Sequence, residues 1–249
     1  MRAYFFVLFF ALIFTIVTSS SKKSKSRSCD FKKMDKQATV IFVFGRRDVY
    51  LPKNSKEMVP HCKEEFDAED YVKSHARRCL KPLPRQIIGV ILMGASQVIK
   101  QRCTPEGTKE YLSHYDCIKA GIPHLHDCMD QLVISLDEIS RMDGEKRIPH
   151  ACCSFSRYIH CSSKAIVKIC PKDPTAKDYI AVKMIKGYAS EVLDMVCQGY
   201  ELEGDRCKQL TLPDGGFKEV EGGGELILVR NVTERPQSII PPFIDIFTR

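Results

Sequence analysis

Twelve cysteines constrain this 249-residue chain more than any other feature, because all of them lie after residue 28. An even number allows every cysteine to pair, and complete pairing is typical of proteins that mature in an oxidising compartment. The chain is also long enough to bury a sizeable core, so disulfides would supplement packing rather than replace it. We therefore expect a secreted, extracellular protein that is stapled by disulfides.

Residues 1–20 have the three regions of a secretory signal peptide. The apolar run Tyr4–Val17 is followed by the small polar residues Thr18–Ser21, so we expect cleavage near Ser19 to Ser21. The alternative is a signal anchor, which is supported by four basic residues just beyond: Lys22, Lys23, Lys25 and Arg27. A bilayer span needs about 20 apolar residues, whereas Tyr4–Val17 has only fourteen. We therefore favour a signal peptide that is removed, and we expect no stable membrane insertion of the mature chain.

The chain carries a net charge of +7, and much of the excess lies in a basic N-terminal arm, residues 21–58. Such an arm can bind anionic polymers or membranes, but an ordinary solvated arm is the favoured interpretation. The predicted secretion and the scarcity of aromatic residues among the lysines, where Phe31 stands alone, argue against nucleic acid as a partner. Within the arm, Ala38–Phe44 predicts a short strand-like run or a buried anchor.

Two parts of the sequence share a cysteine frame. Sixteen residues separate Cys62 from Cys79, and sixteen also separate Cys153 from Cys170. Each pair is followed by prolines and by an apolar segment that ends in a cysteine. Both coincidences in one frame favour an internal duplication.

The duplication predicts a first helical repeat over residues 59–145, a second over 146–207, and an irregular C-terminal tail over 208–249. Six cysteines precede residue 147 and six follow it, so we expect two separately stapled halves. In the tail, Leu226–Val229 is a candidate strand of a hairpin.

Apolar residues recur at helical spacing in both halves. The stripe that best illustrates this spacing is Leu125, Met129, Leu132, Leu136 and Ile139. Ile87–Ile99 is apolar nearly all round, which favours a buried core helix over the wall of a lipid cavity. The predicted fold class is all-α, with disulfide-stapled helical hairpins in two similar halves.

Helix geometry limits the disulfide pairing. A continuous helix would separate Cys62 from Cys79 by about 25 Å, whereas bridged Cα atoms lie within about 7 Å. If the chain folds back at Pro82–Pro84, Cys62 and Cys103 become nearly equidistant from the turn. We therefore predict a bridge between Cys62 and Cys103.

The same symmetry predicts a bridge between Cys153 and Cys197, and one between Cys117 and Cys128 across Gly121–Pro123. The sequence leaves six cysteines without assigned partners: Cys29, Cys79, Cys152, Cys161, Cys170 and Cys207.

The sequence carries no strong catalytic signature, and we predict no catalytic, metal-binding or cofactor-binding residues. The Cys152–Cys153 dyad is typical of secreted phospholipases A2, but there a histidine-aspartate pair follows the dyad, whereas here His126-Asp127 precedes it. Four histidines near cysteines raise the alternative of a zinc site: His124, His126, His150 and His160. Thiols in an oxidising compartment are normally consumed as disulfides, so we favour surface histidines.

Two short motifs predict modification. Asn231-Val232-Thr233 is the only glycosylation sequon, and its tail position predicts occupancy. Lys146-Arg147 is a dibasic pair at which a processing protease would cut exposed chain, freeing the second half. An ordinary solvated linker between the repeats is the favoured alternative.

Several segments resemble secreted cysteine-rich proteins of arthropods, which are related to insect haemolymph glycoproteins. The similarity covers residues 29–200 and rests on Cys29–Lys36, Pro84–Gln86, Lys100–Cys103 and Ile148–Ser154. Relatives carry cysteines where this chain has Gln37 and Tyr71, which implies a tether that this chain lacks, and Cys207 is additional.

The resemblance implies a helical extracellular domain without catalytic residues. We therefore expect a non-enzymatic component of a body fluid or secretion that binds an extracellular protein or a small apolar ligand. The alternative is a secreted venom-type effector or inhibitor, processed after Arg147.

Overall fold

The computed structural model describes residues 29–48, 50–220, 226–229 and 235–248. The helices in these residues are α1 Phe31–Ile41, α2 Ser55–Cys79, α3 Pro82–Arg102, α4 Pro105–Ser113, α5 Tyr115–Ile139, α6 Gly144–Ile169, α7 Gly187–Val196, α8 Asp205–Lys208 and α9 Ile240–Thr248. A 3-10 turn spans Val43–Gly45, a π-helical segment Asp178–Lys186 leads into α7, and two short strands are β1 Phe217–Glu219 and β2 Leu226–Leu228. The all-α prediction is confirmed.

Two predictions concern residues outside those ranges. The leader, residues 1–20, and the sequon at Asn231 are not described by the structure. Among the helices that are described, none combines the length and apolar character needed to cross a bilayer.

The fold is built from two helical hairpins whose returning helices pack against each other. In the first hairpin α3 returns along α2, and in the second the π-helical segment and α7 return along α6. The contact between α3 and α7 brings the hairpins together, while α5 packs along α6. The core contains fully buried side chains from both hairpins, including Leu92, Ile99, Ile166 and Ile180.

Helices α3 and α7 approach each other closely at two glycines, Gly94 and Gly187. A Cβ added to Gly94 would lie 2.9 Å from the carbonyl oxygen of Tyr188, and one added to Gly187 would lie 2.8 Å from Cγ2 of Val98. Such distances are shorter than real Cβ contacts, so glycine at these positions allows the close approach.

All twelve cysteines are paired. The six disulfides are Cys29–Cys79, Cys62–Cys103, Cys117–Cys170, Cys128–Cys161, Cys152–Cys197 and Cys153–Cys207. The predicted Cys62–Cys103 bridge is confirmed, with its Cα atoms 6.0 Å apart.

Four cysteines of each hairpin follow one pattern. In the first hairpin the end of α2 is bridged to the preceding segment by Cys29–Cys79, and the end of α3 is bridged back to α2 by Cys62–Cys103. In the second, Cys117–Cys170 and Cys152–Cys197 repeat both connections. The two connections recur in both hairpins, but Cys152 makes the second one where the predicted frame has Cys153, and the internal duplication itself stays a prediction.

The predicted Cys153–Cys197 bridge is wrong by one residue. Cys152 pairs with Cys197, and Cys153 pairs with Cys207. Neighbouring side chains on a helix point about 100° apart, so the adjacent cysteines of α6 reach different partners.

The predicted Cys117–Cys128 bridge is also wrong, because Gly121–Pro123 does not form a turn. Helix α5 runs through Pro123 without a break, and eleven residues of helix place the two cysteines about 16 Å apart. Each pairs instead with α6 or its C-cap, so two disulfides join the segments on either side of residue 147. The expected separate stapling of two halves is therefore wrong.

Both ends of the described chain are more regular than predicted. The run Ala38–Phe44 forms the end of α1 and part of the 3-10 turn rather than a strand, and it is a buried anchor, since Ala38, Phe42 and Phe44 are at most 3% exposed. Helix α2 begins at Ser55, so the first repeat starts inside the range predicted for the arm, residues 21–58.

The tail also contains the expected hairpin, in which Lys218 pairs with Ile227, and then a docked helix, α9. The carboxylate of Asp35 on α1 accepts hydrogen bonds from the backbone of Gln237 (2.7 Å) and of Ser238 (2.8 Å) just before α9. Pro241 and Pro242 lie in the first turn of α9, where a missing N–H costs nothing.

A pair of glycines on α3 tests the helix crossing. We expect Gly94→Ala to lower the free energy of unfolding by about 1–3 kcal/mol, because its methyl group collides with backbone of α7. Gly89→Ala is the matched control, since nothing lies within 4 Å of its added Cβ, and a gain of up to about 1 kcal/mol is expected from helix propensity. Urea unfolding of both variants measures the difference. Equal effects of the two substitutions would contradict a close crossing.

Candidate functional site

An open apolar groove lies between α2 and α4 beside the Cys62–Cys103 disulfide. This α2–α4 groove has a volume of about 580 Å³ and is lined by Ser55, Met58, Val59, Cys62, Lys63, Phe66, Cys103, Pro105 and Thr108. Met58 is buried in the floor, whereas Val59 is 71% exposed at the rim. Sites for small molecules usually have volumes of about 300–1,000 Å³ and mostly apolar walls, so the groove has the size and character of a binding site.

The N-terminal end of α2 is fixed by a cap. Asn54 accepts a hydrogen bond from the backbone of Glu57 (3.0 Å), and Glu57 accepts one from the backbone of Lys53 (3.0 Å). These contacts satisfy amide groups that a helix start leaves without partners. The first turns of α2, which supply Met58 and Val59 to the groove, are thereby held in place.

The opposite wall depends on a tight turn between α3 and α4. Thr104 caps α4 by accepting a hydrogen bond from the backbone of Gly107 (3.0 Å), and Pro105 occupies the first helical position. A Cβ added to Gly107 would lie 1.9 Å from the carbonyl oxygen of Gln101, so only glycine permits this approach. The turn places Pro105 and Thr108 opposite α2.

A buried ion pair lies directly behind the groove floor. A carboxylate oxygen of Glu65 lies within 4.8 Å of the sulfur atoms of both Cys62 and Cys103. The same carboxylate accepts a hydrogen bond from Arg102, and both side chains are at most 3% exposed. Arg102 also donates to the hydroxyl of Tyr188 on α7 (2.9 Å). The pair thus connects the groove floor to the second hairpin.

The electrostatics of the pair favour its charged form. Burial alone would raise the pKa of Glu65, but the charge of Arg102 and the nearby ring of His61 outweigh it and lower that pKa. Burial alone would lower the pKa of Arg102, but the contacts with Glu65 and Tyr188 outweigh it and raise that pKa. Burial raises the pKa of Tyr111, Tyr179 and Tyr188. These phenols therefore keep their protons at neutral pH, and the hydroxyl of Tyr188 accepts the hydrogen bond from Arg102.

A metal site needs at least three histidine, cysteine or acidic side chains whose ligand atoms converge. Among the described residues, one group meets this condition: Cys62, Glu65 and Cys103. Both sulfur atoms are joined in a disulfide, and the carboxylate is bound to Arg102. Since a metal ligand must be a thiolate and not a disulfide sulfur, these residues do not fit a metal in the oxidised protein.

The predicted surface position is wrong for two of the histidines that raised the zinc alternative, His126 and His150, which are buried. His126 is buried and contacts the carbonyl oxygen of Phe44 (2.7 Å), and His150 contacts that of Lys146 (2.7 Å). His160 is exposed. Asp127, which follows His126, forms an ion pair with Arg47 (2.6 Å).

The dibasic motif lies in the first turn of α6 and not in extended chain. Lys146 pairs with Asp143 (2.9 Å), and Arg147 donates to the carbonyl oxygen of Met142 (2.7 Å). A cut after Arg147 would not free the second half, because Cys117–Cys170 and Cys128–Cys161 join the two sides. That part of the processing hypothesis is wrong.

Sequence reasoning missed the buried ion pair and the groove above it. Glu65 and Arg102 lie 37 residues apart, and Arg102 and Tyr188 lie 86 apart. The predicted hairpin with its Cys62–Cys103 bridge was the one available signal, since it places these segments side by side. Comparison with known proteins adds no template: no family model, no curated protein and no solved structure matches the chain.

Removing the charge of Glu65 tests the ion pair. We expect Glu65→Gln to lower the free energy of unfolding by about 3 kcal/mol at neutral pH, because it leaves the Arg102 charge buried without a counter-charge. The neighbouring Glu64→Gln is the control: Glu64 is 58% exposed and pairs with Arg46 at 3.2 Å, so a loss below about 0.5 kcal/mol is expected.

The pH dependence gives a second readout. The pKa of Glu65 is lower in the folded than in the unfolded protein, so its contribution is complete above the unfolded pKa of about 4.3. The difference between wild type and Glu65→Gln should shrink as pH falls below that value. A difference that is constant with pH would show that charge is not the cause.

Proposed function

We propose that this chain is a secreted, non-enzymatic binding protein that holds a small apolar ligand in the α2–α4 groove. One observation carries the proposal: an open groove of about 580 Å³ with apolar walls lies on a surface stiffened by a disulfide. By contrast, the apolar cavity between Phe42, Phe44 and Tyr188 has a volume of only about 10 Å³, which is too small for such a ligand.

The walls of the groove favour apolar binding. Met58, Val59, Phe66 and Pro105 present carbon atoms, while the one cation at the edge, Lys63, is paired with Asp67 (2.5 Å). Transfer of apolar surface from water into such a site contributes about 25 cal/mol per Å². Because the disulfide and the capped helix ends fix the walls, little conformational entropy is lost on binding.

The extracellular location is supported by the six disulfides and by the absence of free thiols. Disulfides of this density persist in oxidising compartments. The role in a body fluid or secretion is part of the proposal. In the venom-type alternative, cleavage after Arg147 would not release a separate effector. The disulfides Cys117–Cys170 and Cys128–Cys161 would hold the cleaved chain together.

Two matched valine substitutions test the groove. We expect Val59→Asp to weaken binding of the fluorescent probe 1-aminoanthracene at pH 7.5 by about tenfold, because a carboxylate at the rim costs over 1 kcal/mol on contact with an apolar ligand. The control is Val167→Asp, since Val167 is also exposed (56%, against 71% for Val59) but lies on α6 outside the groove. Equal binding by the two variants, or no binding by wild type, would refute the proposed site.

Intact mass of the product from a secretory host tests the location separately. We expect a chain that begins near Ser19 to Ser21, carries an N-glycan on Asn231 and gains no mass from alkylation without reduction, since every cysteine is paired. Retention of the whole leader in a membrane fraction would instead support the signal anchor. Alkylated thiols would contradict the extracellular assignment.

A further inference from the structure

A short segment, Phe42–Arg47, closes the apolar interior of the protein, and we name it the plug. Phe42 and Phe44 are at most 3% exposed and line the small interior cavity with Met129, Leu132, Tyr158 and Tyr188. The ring of Phe42 packs edge-on against that of Tyr188 at 5.6 Å. The cavity is small because these two phenylalanine rings fill the space, so their departure would leave an apolar chamber.

One buried histidine fastens the plug. His126 on α5 is 2% exposed, and its Nδ1 lies 2.7 Å from the carbonyl oxygen of Phe44. A carbonyl oxygen only accepts, so Nδ1 carries the proton and Nε2 is the unprotonated nitrogen of a neutral ring. Nε2 is buried and has no hydrogen-bond partner among the described residues. Protonation of Nε2 would therefore bury a charged N–H without an acceptor.

The charges around His126 do not compensate for this. Arg47 faces it from the plug itself, while Asp127 and Asp130 face it from α5. Both aspartates already pair with Arg47, at 2.6 and 2.7 Å. Burial lowers the pKa of His126 and the charge of Arg47 lowers it further, while the contact with Phe44 and the charges of Asp130 and Asp127 oppose this without overcoming it.

The segments on either side of the plug are held differently. On the N-terminal side, α1 is anchored by Cys29–Cys79 and by the hydrogen bonds that Asp35 accepts. On the C-terminal side the plug is held by ion pairs instead of a disulfide: Arg46 contacts Glu64, and Arg47 bridges Asp127 and Asp130. These ion pairs must break for the plug to swing out, whereas the disulfide keeps α1 in place.

We infer that Phe42–Arg47 is an acid-released plug, and that the chamber beneath Phe42 and Phe44 is a second site, for a small aromatic or apolar ligand. In the closed state His126 is neutral and holds the carbonyl of Phe44. In the open state the ring reaches water and takes up a proton, and the ligand replaces the apolar contacts that the two phenyl rings give up.

The direction of the pH effect follows from proton binding. The open state has the ordinary histidine pKa of about 6.5, and the closed state has a lower one. The open state thus binds more protons, so opening becomes more favourable as pH falls below about 6.5, and the effect ends below the pKa of the closed state. This inference does not depend on the α2–α4 groove.

Binding of 1-aminoanthracene to the Val59→Asp protein, in which binding to the groove is weakened, tests the chamber. We expect tighter binding at pH 5.0 than at pH 7.5, by up to about thirtyfold for one histidine with an open-state pKa of about 6.5. In the same background His126→Gln keeps a donor for the Phe44 carbonyl but cannot be protonated, so it should abolish the difference. His160→Gln, at an exposed histidine, should preserve it. The inference is wrong if His126→Gln retains the full pH effect or if the probe never binds.

Hydrogen exchange of the wild-type protein tests release without any substitution. Relative to their intrinsic rates, amides of residues 42–47 should exchange faster at pH 5.0 than at pH 7.5, while those of α5 stay protected. Equal protection of the plug at both pH values would overturn the proposal. Loss of protection in α5 together with the plug would also overturn it, because that is global unfolding.

Discussion

The close crossing of α3 and α7 is the constraint on which the other features depend. Because Gly94 and Gly187 have no side chains of their own at the crossing, the hairpins approach closely enough for Arg102 of one to reach Tyr188 of the other. A wider crossing would separate that donor from its acceptor and leave a buried guanidinium with Glu65 alone. Such a loss is expensive in a protein interior, so backbone contact and ion pair support each other.

Two disulfides secure the C-terminal ends of the returning helices. Cys103 and Cys197 are the C-caps of the returning helices, and each is bridged to the long helix beside it. A helix end is otherwise prone to fray, since its last carbonyl groups lack partners within the helix. The bridge at Cys103 also forms part of the groove floor, with Glu65 behind it. The wall of the candidate site therefore belongs to the rigid part of the fold.

Helical periodicity predicted the fold class and the first hairpin with its Cys62–Cys103 bridge, because both depend on local spacing. It failed where one residue or one proline decided the outcome. Pro123 is tolerated inside α5, which removed the expected turn and the Cys117–Cys128 pair. Cys152 and Cys153 point in different directions around α6 and pair with different cysteines. Counting residues from the turn could not show which of the two faces Cys197. Glu65, Arg102 and Tyr188 gave no local signal, since only tertiary packing brings them together.

The proposed groove and the proposed chamber lie on opposite sides of one run of contacts. Phe42 of the plug packs on Tyr188, Tyr188 accepts a hydrogen bond from Arg102, and Arg102 is paired with Glu65 behind the groove floor. Proximity alone does not make two sites interact. Coupling of the two sites would require Tyr188 to occupy two arrangements. Its hydroxyl is held by the buried guanidinium of Arg102, whereas its ring can exchange one apolar neighbour for another without moving. A ligand that replaces Phe42 against that ring would therefore leave the ion pair, and with it the groove, unchanged.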